Sequence, residues 1–547
     1  MYLIENPVLQ RELLVNLRMT RAFVLLFLYQ ALLGVVVFFA WPDEEQLNLS
    51  GTGGEGQRLG DLFFLGQYIL ASLMAPSFAA GTITGEKERR TYEMLLASPL
   101  RPSAIVFGKM VASLAHLAVL IIASLPIVML CLPLGGLSPL ELLAAYLGLV
   151  ASVITFGSIG VACSSYFNRT AAALVVSYLL ILPLTMLGAL FWTALSNEGQ
   201  LRLMLSVTVV PGIALAISTA LFAVTSARLL HPPDVGSEGK DVVDLDQEAE
   251  QAVGLVIQRD QFPDKLFAPG KRETLLQDGS NPVYDKEIRS EIFSQGTLML
   301  RLVIQISMLL AIPLMAACLY IWPQHAAWYI SYVVIFNMLC GPVFSAGSVT
   351  SERERQTLDL LLTTTITPWQ ILWGKLAAGL RVSSVLTMFL LWPVLLACVM
   401  VASYWSNLTS VLAYVAVVLL TCLTTAVLAL FCSVVFRKTS ISLMTTYLVI
   451  VVMFCAPMAA IFFSDEFLAG KEVADYVDWF GVTSPFCTAF AIPLQVRSVS
   501  QMGVVPVVSV LGGWTYFGIY VCFTLAFNAL LLVAMIWLFK MRWRVAR

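Results

Sequence analysis

Apolar stretches long enough to cross a bilayer recur about twelve times along this chain of 547 residues, and no other feature restricts its fold as much. A helix rising 1.5 Å per residue needs about 20 apolar residues to traverse the hydrocarbon core of a membrane. Such runs are expected near residues 22–41, 62–84, 104–132, 140–166, 171–194 and 212–229. They return near 298–322, 327–349, 370–401, 408–435, 440–463 and 513–539. The segments lack the alternating polar and apolar pattern of an outer-membrane barrel and are too long for its strands. Charged residues make up 12% of the chain, about half the share usual in a soluble domain. The fold class is therefore an all-α polytopic membrane protein of about 12 transmembrane helices. The first run follows Arg11, Arg18 and Arg21 and reads as an anchor, not a cleaved leader.

Positive charge predicts the orientation, because Lys and Arg are held on the cytoplasmic side of short loops. With the N-terminus inside, the inner loops hold Lys87, Arg89, Arg90, Arg101, Lys109, Arg169 and Arg228. In the second half they hold Arg353, Arg355, Lys375, Arg437, Lys438 and the basic C-terminal stretch from Lys540. The outer loops keep Arg58, Arg202, Lys471 and Arg497, and the outer stretch 41–61 is acidic. Both termini are expected to be cytoplasmic.

The chain also repeats itself. PSFAAGTITGEKERRTYEMLLASPLRPSAIVFGK (76–109) aligns with PVFSAGSVTSERERQTLDLLLTTTITPWQILWGK (342–375), with 15 identities in 34 positions. NPVLQREL (6–13) matches NPVYDKEI (281–288), and CSSYFNRT (163–170) matches CSVVFRKT (432–439). Three collinear matches indicate duplication, with both copies in the same orientation, so the spans form two parallel six-helix repeats. The expected organisation is a six-span half over 1–230, an acidic cytoplasmic linker over 231–280 and a second half over 281–547.

Each half carries a charged dozen between its second and third spans: GEKERRTYEMLL (85–96) and SERERQTLDLLL (351–362). Ser351 with Glu354 forms a capping-box pattern, and Gly85 with Glu88 a weaker copy. Leucines at 95, 96, 361 and 362 follow, so an amphipathic helix along the inner surface is expected, ended by Pro99, Pro102 and Pro368. Basic inner loops are ordinary, but interleaved glutamates retained in both copies suit a protein groove better than anionic lipid.

On these residues the chain resembles the type-2 family of ABC exporter permeases, whose E-x-E-R-x-T-x-[DE]-x-L-L segment joins spans two and three. The resemblance covers nearly the whole chain, twice. It implies coupling helices over 86–98 and 352–364 that contact a separate ATPase subunit. The coupling residues would be Glu86, Glu88, Arg89, Arg90, Thr91 and Glu93, with Glu352, Glu354, Arg355, Thr357 and Asp359 in the second half. It also implies connecting helices over about 6–20 and 281–295, with Arg11, Glu12, Lys286 and Glu287 at like positions. The family commonly has one six-span half per polypeptide; here two are fused, so two ATPase copies are expected per chain. ATP and Mg would reside on that partner, with no cofactor in this chain.

The chain has no P-loop, since FGKM, WGKL and AGKE lack the earlier glycine and the following Ser or Thr. Gly-rich LSGTGGEGQ (49–57) superficially resembles an ABC signature but lies in the acidic outer stretch. No Asp or Glu falls deep in an expected span, so an ion-coupled carrier finds no usual carboxylate. The competing reading, a twelve-span secondary transporter of the major facilitator type, would need that carboxylate and the family's Asp-Arg-x-Gly-Arg loop motif. Neither is present. Ten scattered cysteines and three separated histidines read as filler, with no metal or redox site. The expected activity is thus a permease, not an enzyme, in contact with membrane lipid and not nucleic acid. A bacterial cytoplasmic membrane is its expected home, and the family favours export. Pro76 and Pro342 are candidate kinks. Outer-leaflet or re-entrant helices are expected within 464–512. Sparse intramembrane charge suits an apolar or amphipathic cargo, and no substrate-binding residue can be named.

Overall fold

The computed structural model describes residues 7–17, 53–131, 138–195, 199–230, 281–289, 297–322, 325–354, 356–467, 479–494 and 512–545, with isolated positions between 27 and 34. The expected first span (22–41), the linker (231–280) and most of the outer segment 464–512 fall largely outside them. Among the described residues there is no strand, and eleven helices are long and apolar enough to cross a membrane. By contact the chain divides into two compact units, residues 1–265 with 295–300, and 266–294 with 301–547.

In the first unit, α1 (Pro7–Leu17) is followed by α2 (Gly53–Ala79), two short helices α3 (Gly81–Glu88) and α4 (Tyr92–Leu96), then α5 (Pro102–Cys131), α6 (Pro139–Tyr166), α7 (Thr170–Ala194) and α8 (Gly199–Leu230). Proline at the first helical position fixes the start of α5 and α6, where its missing N–H has no partner to lose. A reciprocal Ser138–Glu141 capping box completes the start of α6. Helix α6 is central and packs on α2, α7 and α8. Gly160 lets it approach Ala79, whose Cβ lies 2.6 Å from where a Gly160 Cβ would stand, and Gly157 admits Leu114. Arg202, expected in an outer loop, is instead within α8, buried, with its guanidinium 4.6 Å over the Trp192 ring. An aromatic platform makes that burial tolerable.

The second unit runs α9 (Pro282–Arg289), α10 (Thr297–Met315, continuing as a π turn Ala316–Ile321), α11 (Ala326–Ser345), short helices α12 (Thr350–Glu354) and α13 (Leu358–Leu362), α14 (Pro368–Met400) and α15 (Leu408–Val435). Then come α16 (Thr439–Ile450), a π turn (Val451–Cys455), α17 (Ala456–Phe467), α18 (Pro485–Ala491) and α19 (Gly513–Val545). Helix α11 is the buried axis and packs on α15 and α14. Its Asn337 amide oxygen accepts from the Thr387 hydroxyl at 2.6 Å, and Asn528 of α19 donates to Thr424 of α15 at 2.9 Å. Interhelical hydrogen bonds of this kind bind helices together where apolar side chains gain nothing over lipid.

Pro76 and Pro342 are buried inside α2 and α11, four residues before the helix breaks at Ala80 and Ala346. A helical proline disturbs the carbonyls of the preceding turn. Tyr178 donates to the Leu73 carbonyl at 2.8 Å, and Tyr447 to the Leu339 carbonyl at 2.6 Å, in each case three residues before the proline.

The short α18 is too brief to span and is nonetheless buried. Just before it, Thr483 and Ser484 donate to the carbonyls of Met453 and Phe454 at 3.1 and 2.6 Å, inside the π turn whose wider repeat frees such groups. Ser410 donates to the Pro493 carbonyl at 2.6 Å. A buried helix of about two turns, anchored by hydroxyls at both ends, is how a segment too short to span keeps its backbone groups satisfied in a membrane protein.

Candidate functional site

The charged dozen is not one amphipathic helix in either half. Where single helices over 86–98 and 352–364 are expected, α3 is followed by α4 and α12 by α13, with a sharp turn between. Arg90 and Gln356 stand at that turn with φ of 58° and 59°, the left-handed region. Around Arg90, the Thr91 N–H reaches the Glu86 carbonyl at 2.9 Å and the Arg90 N–H reaches the Lys87 carbonyl at 3.1 Å. Thr357 and Gln356 make the same pair with Glu352 and Arg353. This is a Schellman ending, in which glycine is the usual left-handed residue. Here an arginine and a glutamine occupy it.

The threonine after the turn does not cap the next helix with its side chain. Thr91 donates instead to the Glu86 carboxylate, and Thr357 to that of Glu352. Each of these glutamates also meets a buried lysine. Lys109 lies 3.1 Å from Glu86 and 3.4 Å from Glu12 of α1. Lys375 lies 2.6 Å from Glu287 of α9 and 3.7 Å from Glu352, and donates to the Ser348 carbonyl at 2.7 Å. Lys286 adds a 2.8 Å contact to Glu352. Partial burial would raise the Glu86 carboxyl, but the Thr91 hydroxyl and the Lys109 ammonium outweigh it and hold it below the ordinary value. Burial likewise opposes Glu352, and Lys286, Thr357 and Lys375 lower it.

The glycine before each lysine has a role in the second half. A Cβ on Gly374 would stand 3.0 Å from the Tyr284 nitrogen and the Asn281 amide, so glycine lets α9 lie against α14. Asn281 then donates to the Gln370 carbonyl at 2.7 Å.

The neighbouring charges also turn inward. Lys87 donates to the carbonyls of Ser165 and Phe167 at 2.7 and 3.0 Å, at the C-terminal end of α6. Arg353 does the same for Val434 and Phe436 at the end of α15, at 2.8 and 2.7 Å. A cation on the last carbonyls of a helix satisfies orphan acceptors and the negative end of the dipole together. Glu88 accepts from the Thr170 N–H at 2.8 Å and Glu354 from the Thr439 N–H at 2.9 Å, at the starts of α7 and α16. The expected capping box within the segment is therefore not what Glu354 forms. Ser164 and Ser433 accept from the amides of Ile83 and Thr84, and of Val349 and Thr350, at 2.9–3.1 Å.

Three sequence repeats thus converge in each half on one bracket. Lys87, Lys109, Ser164 and Thr170, with Arg353, Lys375, Ser433 and Thr439, are site residues that motif reading missed. Their signal was present, since each pair stands at matching positions of an aligned repeat. The first half adds a contact of its own. Lys87 also faces Arg228, which stacks 3.9 Å over Tyr166, and burial with that guanidinium pulls the Lys87 ammonium down to about 8.

What remains outward is a smaller set. Arg89, Arg90, Glu93, Gln356 and Asp359 are exposed, while Arg355 lies outside the described residues. Arg11 is exposed on α1 and Lys286 on α9. Tyr92, Leu95 and Leu96 pack inward against Ile83, Ile105 and Leu229. Between them project Met94, 75% exposed, and at the matching position Leu360, 69% exposed.

The model of the ABC-2 family transporter proteins matches residues 16–211 and 215–542. The chain belongs to this family. It is thus a membrane transport component of the ABC type, and the major facilitator reading is left without support. No curated protein matches the chain.

Proposed function

We propose that this ABC-2 family protein is a fused permease, driven by two copies of a separate cytoplasmic ATPase that dock on the outward faces of α4 and α13. The observation that carries this is the split role of the charged dozen. Glu86, Lys87, Glu88 and Thr91, with Glu352, Arg353, Glu354 and Thr357, fasten the segment to the ends of the spans. Glu93–Met94 and Asp359–Leu360 are left as matched projections of one charge and one bare apolar side chain. An apolar residue more than two-thirds exposed beside charge, twice at the same position, suits a partner groove. A push on Met94 or Leu360 would pass through the bracket to the span ends, because the bracket ties α1 or α9 and the starts and ends of four spans together. ATP and Mg belong to the ATPase. The positive-inside distribution puts both termini in the cytoplasm, with a bacterial cytoplasmic membrane as the setting and export as the family's direction.

The experiment is recovery of the ATPase with the tagged chain from its native membrane in mild detergent. The wild type should bring down about two Walker-motif ATPases per chain, and Met94→Glu with Leu360→Glu should bring down roughly tenfold less, an interface loss of about 1.4 kcal/mol. Wild-type chain without any ATPase would sink the reading. Undiminished recovery with the double variant would remove the assignment of the docking face. Charge reversal at Glu86 and Glu352 is the wrong test, since it would break the bracket itself.

A further inference from the structure

We infer that the first unit binds the phosphate of an anionic phospholipid between two cations, Lys87 and Arg228, on the side of the bilayer that carries the charged segments. Arg228 lies in the last turn of α8, its guanidinium stacked 3.9 Å over Tyr166 at the end of α6. Lys87 stands in the last turn of α3, its ammonium 5.6 Å over the Tyr92 ring. Burial and then the Arg228 charge pull the Lys87 ammonium down to about 8, so the two cations act on each other directly.

Neither cation has a counter-charge. Among the described residues no carboxylate pairs with Lys87 or Arg228, whereas Lys109, Lys286 and Lys375 each have one. Lys87 donates two N–H groups to the Ser165 and Phe167 carbonyls and keeps a third. Arg228 donates to no acceptor among the described residues, although a guanidinium has five N–H groups, and its Nε is buried without a partner. Adjacent like charges repel, and a buried donor left unpaired is costly. One anion shared by the two cations relieves both. Leu358 and Val435 stand where Tyr92 and Tyr166 do, so the second half lacks both rings and the site is single.

Position makes the anion a lipid. The apolar span of α8 ends at Leu229, which puts Arg228 at the level of the headgroups. That span is the least covered of the eleven, with 6% of its most apolar stretch buried against 28% or more in the others. Val224, one turn before Arg228, is 47% exposed, and Ala223 and Ala227 beside it are exposed as well. An acyl chain lying on this face brings its phosphate to the guanidinium without needing an enclosed cavity. Tyrosines are at home at the same boundary. The choline or ethanolamine of a zwitterionic lipid would add a third cation to the pair, so an anionic headgroup is preferred. The site depends neither on the ATPase nor on the direction of transport.

The test titrates the full chain in mild detergent with phosphatidylglycerol, or with phosphatidylcholine of the same acyl chains, and follows retained lipid by native mass spectrometry. The wild type should hold phosphatidylglycerol about fivefold more tightly, the effect of one interfacial charge. Arg228→Gln should remove that preference, and Arg228→Lys should keep most of it. Val224→Glu offers Arg228 a carboxylate from one turn away on the same helix face and should also abolish the preference. It serves if the glutamine variant does not fold. Equal affinity for the two lipids in the wild type, or a preference that survives a folded variant of either kind, would overturn the site. Glycerol phosphate, which has the anion but no acyl chains, should not be retained. Retention as tight as that of the lipid would assign the cations to a free phosphate and overturn the lipid.

Discussion

The two halves agree at their charged ends and disagree inside the membrane. At the charged end, each has a glutamate fixed by a threonine and a buried lysine, a cation on the last carbonyls of the fourth span, and a second glutamate at the start of the fifth. Inside, the second half threads Asn337, Thr387, Thr424 and Asn528 through its core. The first half stands on small-residue contacts such as Gly160 against Ala79, with Ala71 where the second half has Asn337. Helices in lipid can be joined by close packing or by hydrogen bonds with similar result, so the interior is free to drift. Buried charges have no such latitude, because losing one partner strands the other.

That contrast can be broken most forcefully at the lysines. Lys375→Met and Lys109→Met each take the buried ammonium from the carboxylates around it, Glu287 and Glu352 or Glu12 and Glu86, with Lys286 still 2.8 Å from Glu352, a loss of about 3–5 kcal/mol. Lys375 lies 2.6 Å from Glu287 and 3.7 Å from Glu352 and also donates to the Ser348 carbonyl at 2.7 Å, against 3.1 Å and 3.4 Å for the two carboxylates of Lys109. Its variant, which loses the shortest ion pair and a backbone contact as well, should show the larger fall in thermal unfolding temperature in detergent. The reverse order would mean that the halves do not share one bracket.

A smaller effect is expected at the tyrosines beside the prolines. Tyr178→Phe and Tyr447→Phe should each cost about 1 kcal/mol, equally in the two halves, since each removes one hydrogen bond to a helix carbonyl. Unequal losses would show that Pro76 and Pro342 are not supported alike.

The left-handed turn should respond in the opposite direction. Gln356→Gly removes a side chain from a position that disfavours one and should stabilise by up to about 1 kcal/mol. Arg90→Gly should gain by a similar amount, since Arg90 stands at the matching left-handed position. Both are readable as shifts of thermal unfolding, and a loss in the second half would contradict the Schellman geometry.

The subtlest difference lies in pH. The folded value for Lys87 is about 8, below that of an exposed lysine, so between those values the unfolded chain binds more protons. Stability therefore rises with pH across that window through this group. Lys87→Arg, copying Arg353, keeps its charge and should flatten that rise when unfolding is followed from about pH 7.5 to about pH 10.5, a window that takes in both the shifted value and that of an ordinary lysine. An unchanged slope would show that Lys87 is not held as its contacts indicate.

Much of this was legible in the sequence. Helix positions in the second through twelfth spans agree with their apolar runs to within a few residues at most ends, because lipid leaves backbone groups no other partner. The second and sixth are the exceptions: α2 begins at Gly53 and α8 at Gly199, and Arg202 stays inside α8 because Trp192 receives it. The charged dozen was legible as a repeat but not as a bracket. Its pattern of Glu, Arg and Leu fits one surface helix, and nothing local announces a left-handed arginine in its middle.

Composition and period alone determined that the chain is helical, membrane-spanning and double, since a bilayer admits few alternatives for about twelve apolar runs. Which charges face inward was decided only by the tertiary structure. Glu86 and Glu93 are alike as residues seven positions apart. One meets a buried lysine brought from 23 residues away and a carboxylate from α1 beside it, and the other meets none of these. Burial and partners, not residue type, assign a carboxylate to the scaffold or to the surface.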